Sequence, residues 1–151
     1  MLPKFHLIIS FVISFILLIL GVDPIFCLLF FLAGFLIDFD HYVYYVKKKK
    51  DISLINAYYY HKNYLDKELE RKNQKSILMV LHTIEFLIIL LILSIFFKII
   101  WPIFLGCLSH ILTDFIYRLS IKNKKYKQVY SIIFYAKKTG VFEHHKNAKH
   151  F

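Results

Sequence analysis

Four long apolar segments dominate this sequence, at residues 5–20, 25–40, 77–100 and 102–119. Hydrophobic residues make up 58% of the 151-residue chain, which is more than an ordinary soluble domain contains. In hydrocarbon every backbone N–H and C=O must be bonded within the protein, so apolar segments of this length favour transmembrane helices. We therefore predict an all-α, multi-pass membrane protein with about four transmembrane helices.

The connections within each pair of segments are short. Pro24 and Pro102 fall in the first turn of the helix that follows, where the missing N–H costs no hydrogen bond. This spacing predicts two helical hairpins. The first segment follows Lys4 and has the length of a signal peptide, but the residues after it, Gly-Val-Asp-Pro at 21–24, are not a cleavage site. We expect it to be retained as a helix.

Positive charge is distributed unevenly among the connections. Of the 20 lysines and arginines, nine lie in the loop at 47–75 and nine lie from Arg118 onward. Only Lys98 falls on the opposite side of a four-span arrangement from Lys4. Because lysine and arginine accumulate on the cytoplasmic side of membrane proteins, the pattern predicts a cell-membrane protein with both termini in the cytoplasm.

The same charges divide the chain into two regions. We expect residues 1–120 to form the helical bundle, including the basic cytoplasmic loop, and residues 121–151 to form a basic cytoplasmic tail. The sequence predicts an exposed polar helix at 66–75 and a helix that lies in the membrane interface at 126–138.

The net charge of +10 favours anionic lipid headgroups as partners. Nucleic-acid binding is the weaker interpretation, since no recognition motif accompanies the charge.

Acids and histidines interrupt three of the apolar segments. The second segment ends in DFDH at 38–41, the third contains HTIE at 82–85, and the fourth contains HILTD at 110–114. An ionisable side chain within a bilayer is costly unless it is paired or bound to something. Imidazoles and carboxylates are the ligands of zinc and of harder divalent metals. These elements therefore predict a metal site.

The predicted topology brings these elements to one leaflet. All of them, with His6 at the start of the first segment, fall near the cytoplasmic face. His110 and Asp114 are spaced i,i+4, and His82 and Glu85 are spaced i,i+3, so each pair would share one helix face. The predicted metal ligands are His6, Asp38, Asp40, His41, His82, His110 and Asp114.

The chemistry of such a site is predicted in outline only. The candidate ligands could hold one or two divalent ions, with zinc preferred and manganese or iron as alternatives. Glu85 and Asp40 are the candidate catalytic residues, each as a general base. We also expect one of Asp38 and Asp40 to ligate while the other orients a histidine. A lipid or phosphoester substrate at the cytoplasmic leaflet would suit the basic rim.

The same elements resemble those of a known family, the membrane-bound metal-dependent hydrolases. LAGFLIDFDH, the His82-Thr83 pair and GCLSHILTD are similar to its motifs, and the seven predicted ligands match its motif positions. The resemblance covers roughly residues 1–118 in short pieces. Ile37 stands where the family has proline, and His61-Lys62 is the nearest counterpart of its His-Arg pair. The resemblance implies a multi-pass helical fold and metal-dependent hydrolysis. The His-x-x-x-Asp pair is more loosely similar to one in zinc-dependent phospholipases C.

Two other functions remain open from the sequence. In the first, the chain is a non-enzymatic membrane scaffold or regulatory protein, and the polar cluster only locks helices together. In the second, it has a transport or redox role in which His82 and His110 hold a haem.

Overall fold

The computed structural model describes residues 3–63, 76–120, 127–129 and 131–138. The protein is mostly helical, as predicted. Its helices are α1 (Pro3–Ile19), α2 (Pro24–Leu36), α3 (Phe39–Lys49), α4 (Leu54–Asn63), α5 (Ile84–Phe96), α6 (Ile100–Ser120) and α7 (Ile132–Lys138), with a 3₁₀ turn at Val80–His82. Two short strands, β1 (Ser76–Leu78) and β2 (Lys127–Val129), pair in parallel with Ser76 opposite Lys127.

Helix α2 lies at the centre of the fold and packs against both α1 and α6, and α6 also packs against α5. Small residues allow the close approach. A Cβ atom added at Gly106 of α6 would lie 2.5 Å from the carbonyl oxygen of Phe30 and 3.0 Å from Cβ of Ala33, both on α2. A Cβ added at Gly34 of α2 would meet the hydroxyl of Ser10 on α1. Glycine at these two positions therefore lets three backbones come together.

The first hairpin forms as its sequence indicates. Pro24 occupies the first turn of α2, and the Asp23 side chain caps the helix by accepting hydrogen bonds from the N–H groups of Ile25 and Phe26, at 2.9 and 3.0 Å. Cys27 on α2 is a buried free thiol.

In the predicted third segment, at 77–100, the α-helix runs from Ile84 to Phe96, and the last residue, Ile100, already begins α6. Thr83 adopts an extended backbone (φ −92°, ψ 153°), and its side chain accepts a hydrogen bond from Phe86 N–H. A capping residue of this kind marks the start of a helix, so the chain before it is free to form β1 and the 3₁₀ turn. This corrects the predicted boundary and places His82 ahead of the helix.

The predicted interfacial helix at 126–138 is also shorter than expected. Among the described residues of this stretch, 127–129 pair with β1 and 132–138 are helical, because the backbone of β2 is bonded to β1. The polar helix predicted at 66–75 lies outside the described residues, as does most of the predicted tail.

Among the described residues, two helical stretches are long and apolar enough to cross a membrane. One is Pro24–Lys49, which is α2 and α3 together with the turn between them, and the other is Ile100–Tyr117 of α6. In the 18-residue apolar window of each stretch, 28% and 33% of the residues are buried within the protein, whereas the core helix of a soluble protein is mostly buried. Helices α1 and α5 are apolar too, but they have 17 and 13 residues.

A second, smaller core joins α4 to α3. Tyr45, Ala57, Tyr60 and Met79 are buried together there. Asp51 closes the connection between the two helices. Its carboxylate accepts hydrogen bonds from the Tyr45 hydroxyl, from Ser53 N–H at 2.9 Å and from the Asn56 side chain at 2.8 Å. These bonds hold the pKa of Asp51 below its usual value, and the bond from Tyr45 has the largest effect. Helix α4 thus runs back along α3.

Candidate metal centre

Asp38 occupies the N-cap position of α3 but does not cap the helix. Its side chain makes no capping hydrogen bond, whereas Asp23 caps α2 in the usual way. The backbone of Asp38 is helical (φ −67°, ψ −4°), so the chain bends only slightly between α2 and α3. The carboxylate is directed instead toward the histidines of the other elements, and the Asp38 side chain is only 9% exposed.

Three donor atoms from separate parts of the chain surround one point. His82 Nε2 and His110 Nε2 are 3.2 Å apart, and they lie 3.6 and 3.4 Å from Asp38 Oδ1. A triangle with these sides has a circumradius of about 2.0 Å, close to the zinc–nitrogen and zinc–oxygen bond lengths in proteins. A buried group that could hold a metal ion is therefore formed by Asp38, His82 and His110.

Hydrogen bonds at Nδ1 fix the orientation of both rings. His82 Nδ1–H donates to Asp40 Oδ2 at 3.0 Å, and the same oxygen accepts from Leu81 N–H at 3.2 Å. His110 Nδ1–H donates to the carbonyl oxygen of Gly34 at 2.7 Å. Histidines that ligate metals usually donate their second N–H to a carboxylate or carbonyl in this way. Asp38 and Asp40 thus have different surroundings. Asp38 faces the Nε2 atoms of both histidines, whereas Asp40 holds the His82 ring through Nδ1.

These bonds leave no hydrogen at either Nε2 of the neutral rings, because each ring already carries its hydrogen at Nδ1. Two nitrogen lone pairs and a carboxylate oxygen then converge within 3.6 Å of one another. Such a group is stable only with a cation among the three atoms, either an additional proton or a metal ion. The donor set, two imidazoles and one carboxylate, is one that zinc uses.

His41 borders this group on a third side. Its Nε2 lies 3.5 Å from Asp38 Oδ1, and its ring meets the His82 ring edge-on, with centroids 5.0 Å apart. His41 also forms, with Asp40 and His82, a second group that could hold a metal ion. Among the described residues, His41 Nδ1, Asp38 Oδ2 and Asp40 Oδ1 are buried atoms without a hydrogen-bond partner. A bound cation would satisfy such buried polar atoms at one place.

His61 of α4 lies behind His41. His61 Nε2–H donates to the carbonyl oxygen of His41 at 2.9 Å, and the two rings meet edge-on with centroids 5.2 Å apart. Burial lowers the pKa of His61, because a charged imidazole would lose hydration there. The α3–α4 core and this bond together hold His41 against Asp38.

His6 and Asp114 form a pair on the other side of His110. His6 Nε2–H donates to Asp114 Oδ1 at 3.0 Å, and the His6 ring stacks on the His110 ring with centroids 3.6 Å apart and planes inclined at 17°. His6, His110 and Asp114 are all buried and form a third group that could hold a metal ion. The pair links α1 to α6 directly beside His110.

Glu85 lies in none of the three groups. Its Oε1 accepts hydrogen bonds from the Ser131 hydroxyl at 2.6 Å and from Ile133 N–H at 3.3 Å, at the start of α7. The structure therefore gives Glu85 a docking contact with the C-terminal segment. Its role as a general base remains a prediction.

All seven predicted ligands are brought together, in three overlapping groups. The sequence did not indicate that the carbonyl of Gly34 supports His110, nor that Ser131 binds Glu85. The glycines in the motif region, Gly34 and Gly106, were the available signal, since glycine within an apolar helix often marks close backbone approach.

The arrangement does not fit the haem that the sequence raised as one form of a transport or redox role. A haem lies between its two axial ligands, whereas His82 Nε2 and His110 Nε2 are 3.2 Å apart on rings inclined at 75°. No macrocycle fits into that gap.

Comparison with known proteins found no matching family model, curated protein or solved structure. The resemblance to membrane-bound metal-dependent hydrolases accordingly rests on the motif residues alone.

Proposed function

We propose that this chain is a multi-pass membrane protein that hydrolyses a phosphoester or a lipid-type substrate at the cytoplasmic leaflet with the help of a divalent metal ion. One observation carries the proposal. Asp38 Oδ1, His82 Nε2 and His110 Nε2 surround a point about 2.0 Å from each, which suits zinc. Manganese or iron are alternatives, since both accept the same donor types.

The exposed surface supports the membrane part of the proposal. Large apolar side chains are exposed on all four apolar helices, among them Phe15 of α1 (52%), Ile25 of α2 (63%), Phe96 of α5 (73%) and Ile116 of α6 (60%). In water such a surface would be very unfavourable, and lipid would cover it. Four spans with both termini cytoplasmic also fit the lysine and arginine distribution. The short α1 and α5 could be accommodated by local thinning of the bilayer.

The three donors leave room for catalysis. Catalytic zinc sites characteristically have three protein ligands and one open position. Asp38 and the two histidines would hold a divalent metal there, and Asp40 and Gly34 would keep the histidines in position. The metal would act as a Lewis acid that lowers the pKa of water and polarises a phosphoryl or carbonyl oxygen. His41, at the edge of the group, and Asp40, through its unpaired Oδ1, would accept a proton.

The lysines after the site suggest the substrate class. Lys47, Lys48 and Lys49 end α3, and Lys47 is about 13 Å beyond Asp38 along a helix. Basic residues at that distance attract an anionic headgroup to the membrane surface above the site. The family resemblance adds hydrolysis as the reaction, and the metal-ligand geometry is compatible with it.

A non-enzymatic scaffold is the second candidate. It is favoured by the bonds of His6 to Asp114 and of His82 to Asp40, which join separate elements without any ion. Polar contacts of this kind stabilise helix association in membranes.

Metal analysis of the purified full-length chain in detergent tests the proposal. We expect tightly bound zinc, manganese or iron in the wild type and none in His110→Ala, with Ser14→Ala as the control because Ser14 is buried on α1 and bonds Cys27. Metal-dependent release of phosphate from mixed micelles of phosphatidic acid, lost in His110→Ala, would support hydrolysis. Absence of metal from folded wild-type protein would overturn the proposal, and bound metal without any hydrolysis of phosphoester or carboxylester lipids would favour the scaffold.

A further inference from the structure

We infer that the centre holds a single metal ion, and that His6 and Asp114 are a positioning pair for His110 rather than ligands of a second ion. This inference rests on the proposed metal site. It concerns the number of ions and the role of two predicted ligands, which the sequence left open.

The nitrogens of His110 are the first reason. A second ion beside His6 and Asp114 would need His110 as its third protein ligand. His110 Nδ1–H donates to the carbonyl of Gly34 at 2.7 Å, and Nε2 belongs to the group with Asp38 and His82. Neither nitrogen is left for another ion. The group of Asp40, His41 and His82 is closed in the same way, because His82 Nδ1–H donates to Asp40 and His82 Nε2 belongs to the group with Asp38 and His110. The Gly34 bond is also hard to give up, since it is buried between closely packed helices.

The bond between His6 and Asp114 is the second reason. Carboxylate oxygens only accept, so His6 Nε2 carries the hydrogen of their 3.0 Å contact and cannot ligate at the same time. The other ring nitrogen, Nδ1, lies 3.4 Å from the Thr113 hydroxyl oxygen. Within the part of the chain that the structure describes, a second ion would therefore have at most two protein donors, and these two are already bonded to each other. Catalytic zinc sites normally have three.

The pair has a clear structural effect instead. The His6 ring lies nearly parallel to the His110 ring at a centroid distance of 3.6 Å, which limits the tilt of His110 about its side-chain bonds. Asp114 lies one helical turn after His110 on α6 and holds His6 of α1 in that position. The stack and the Gly34 bond thus act on the same ring from different directions. Residues that orient a metal-binding histidine typically change metal affinity by about 10- to 100-fold.

The experiment counts the ions. Full-length wild-type protein, His6→Phe, Asp114→Asn and the control Ser14→Ala are purified in detergent, loaded with zinc, desalted and analysed for zinc per chain. Zinc affinity is measured by competition with a chromophoric chelator. The absorption spectrum of the cobalt-loaded forms reports the coordination of the ion. His6→Phe keeps an aromatic ring for stacking and lacks the hydrogen bond, so it separates the two contributions.

We expect one zinc per chain in all four proteins. Affinity should fall by roughly 10- to 100-fold in Asp114→Asn and in His6→Phe, and the cobalt spectrum should change in both variants. Ser14→Ala should keep the wild-type affinity and spectrum. Two zinc ions in the wild type would overturn the inference by itself, even if the variants did not fold. Loss of one ion of two in Asp114→Asn would identify the residue as a ligand. No zinc in the wild type would overturn the proposed function and this inference together.

Discussion

His82 Nε2 and His110 Nε2 lie 3.2 Å apart although the Nδ1 hydrogen of each ring is already donated, one to Asp40 and the other to the carbonyl of Gly34. Without a cation between them, two lone pairs would face each other beside the carboxylate of Asp38. The hydrogen bonds at Nδ1 therefore keep both Nε2 atoms available to a cation, and they can be altered separately from the donor atoms.

Asp40→Asn should weaken metal binding without removing the site. The amide oxygen can still accept from His82 Nδ1–H, but the negative charge that makes the ring a better ligand is lost, and we expect about 10- to 100-fold lower affinity. Chelator competition measures the change. Asp23→Asn is the matched control, since asparagine caps helices as well as aspartate does and Asp23 lies at the start of α2. Equal affinity of both variants would contradict the assigned role of Asp40.

Removal of the metal should destabilise the protein. An ion that binds only the folded chain at a free concentration 100 times its Kd adds about 2.7 kcal/mol of stability. We expect a chelator to lower the midpoint of thermal unfolding in detergent for the wild type. The midpoint of His110→Ala should not respond to the chelator. An equal response of both proteins would show that the chelator acts elsewhere.

Gly106→Ala should disturb the packing of α2 against α6. The new Cβ would lie 2.5 Å from the carbonyl oxygen of Phe30, which is backbone and cannot turn away, so the helices must separate. We expect a loss of about 1–3 kcal/mol of stability, measured by unfolding in mixed micelles. Separation would also lengthen the bond from His110 to Gly34, so metal affinity should fall.

Gly34→Ala offers a comparison with a different neighbour. Its new Cβ would meet the hydroxyl of Ser10, a side-chain atom that a second substitution removes. The double variant Gly34→Ala, Ser10→Ala should recover part of the lost stability, whereas Ser10→Ala should not improve Gly106→Ala. Equal effects of Ser10→Ala in both backgrounds would rule out this account of the two contacts.

Substitution of Glu85 should loosen the C-terminal segment and leave the metal in place. Glu85 Oε1 accepts from the Ser131 hydroxyl and Ile133 N–H, and Glu85 belongs to none of the donor groups. We expect Glu85→Ala and Ser131→Ala to increase amide hydrogen exchange in residues 131–138 alike, with unchanged zinc content. If Glu85→Ala abolishes hydrolysis and Ser131→Ala does not, the predicted general base is supported instead.

The four-span topology can be tested with two single cysteines. In a chain whose buried Cys27 and Cys107 are replaced by alanine, Lys98→Cys should react with a membrane-impermeant thiol reagent from outside the cell. Lys47→Cys, exposed at the end of α3, should react only after permeabilisation. Labelling of both positions from the same side would exclude the predicted arrangement.

The sequence predicted the relative position of one pair of candidate residues correctly and that of another pair incorrectly. His110 and Asp114 lie on one continuous helix, so their i,i+4 spacing correctly placed them on one face. The i,i+3 spacing of His82 and Glu85 also predicted a shared helix face. That prediction is wrong, because the helix begins only after Thr83 and His82 belongs to a 3₁₀ turn. Glu85 accordingly contacts α7, while His82 faces Asp38.

The sequence by itself determined the helical class of the fold and the residue types of the candidate centre, because apolar segments in hydrocarbon must satisfy their own backbone and rarely retain unpaired acids and histidines. Only the tertiary structure decided what each residue does. Asp38 and Asp40 differ by two positions and are chemically identical, yet one faces two Nε2 atoms and the other holds His82 Nδ1. That difference depends on the turn between α2 and α3, which no local pattern encodes.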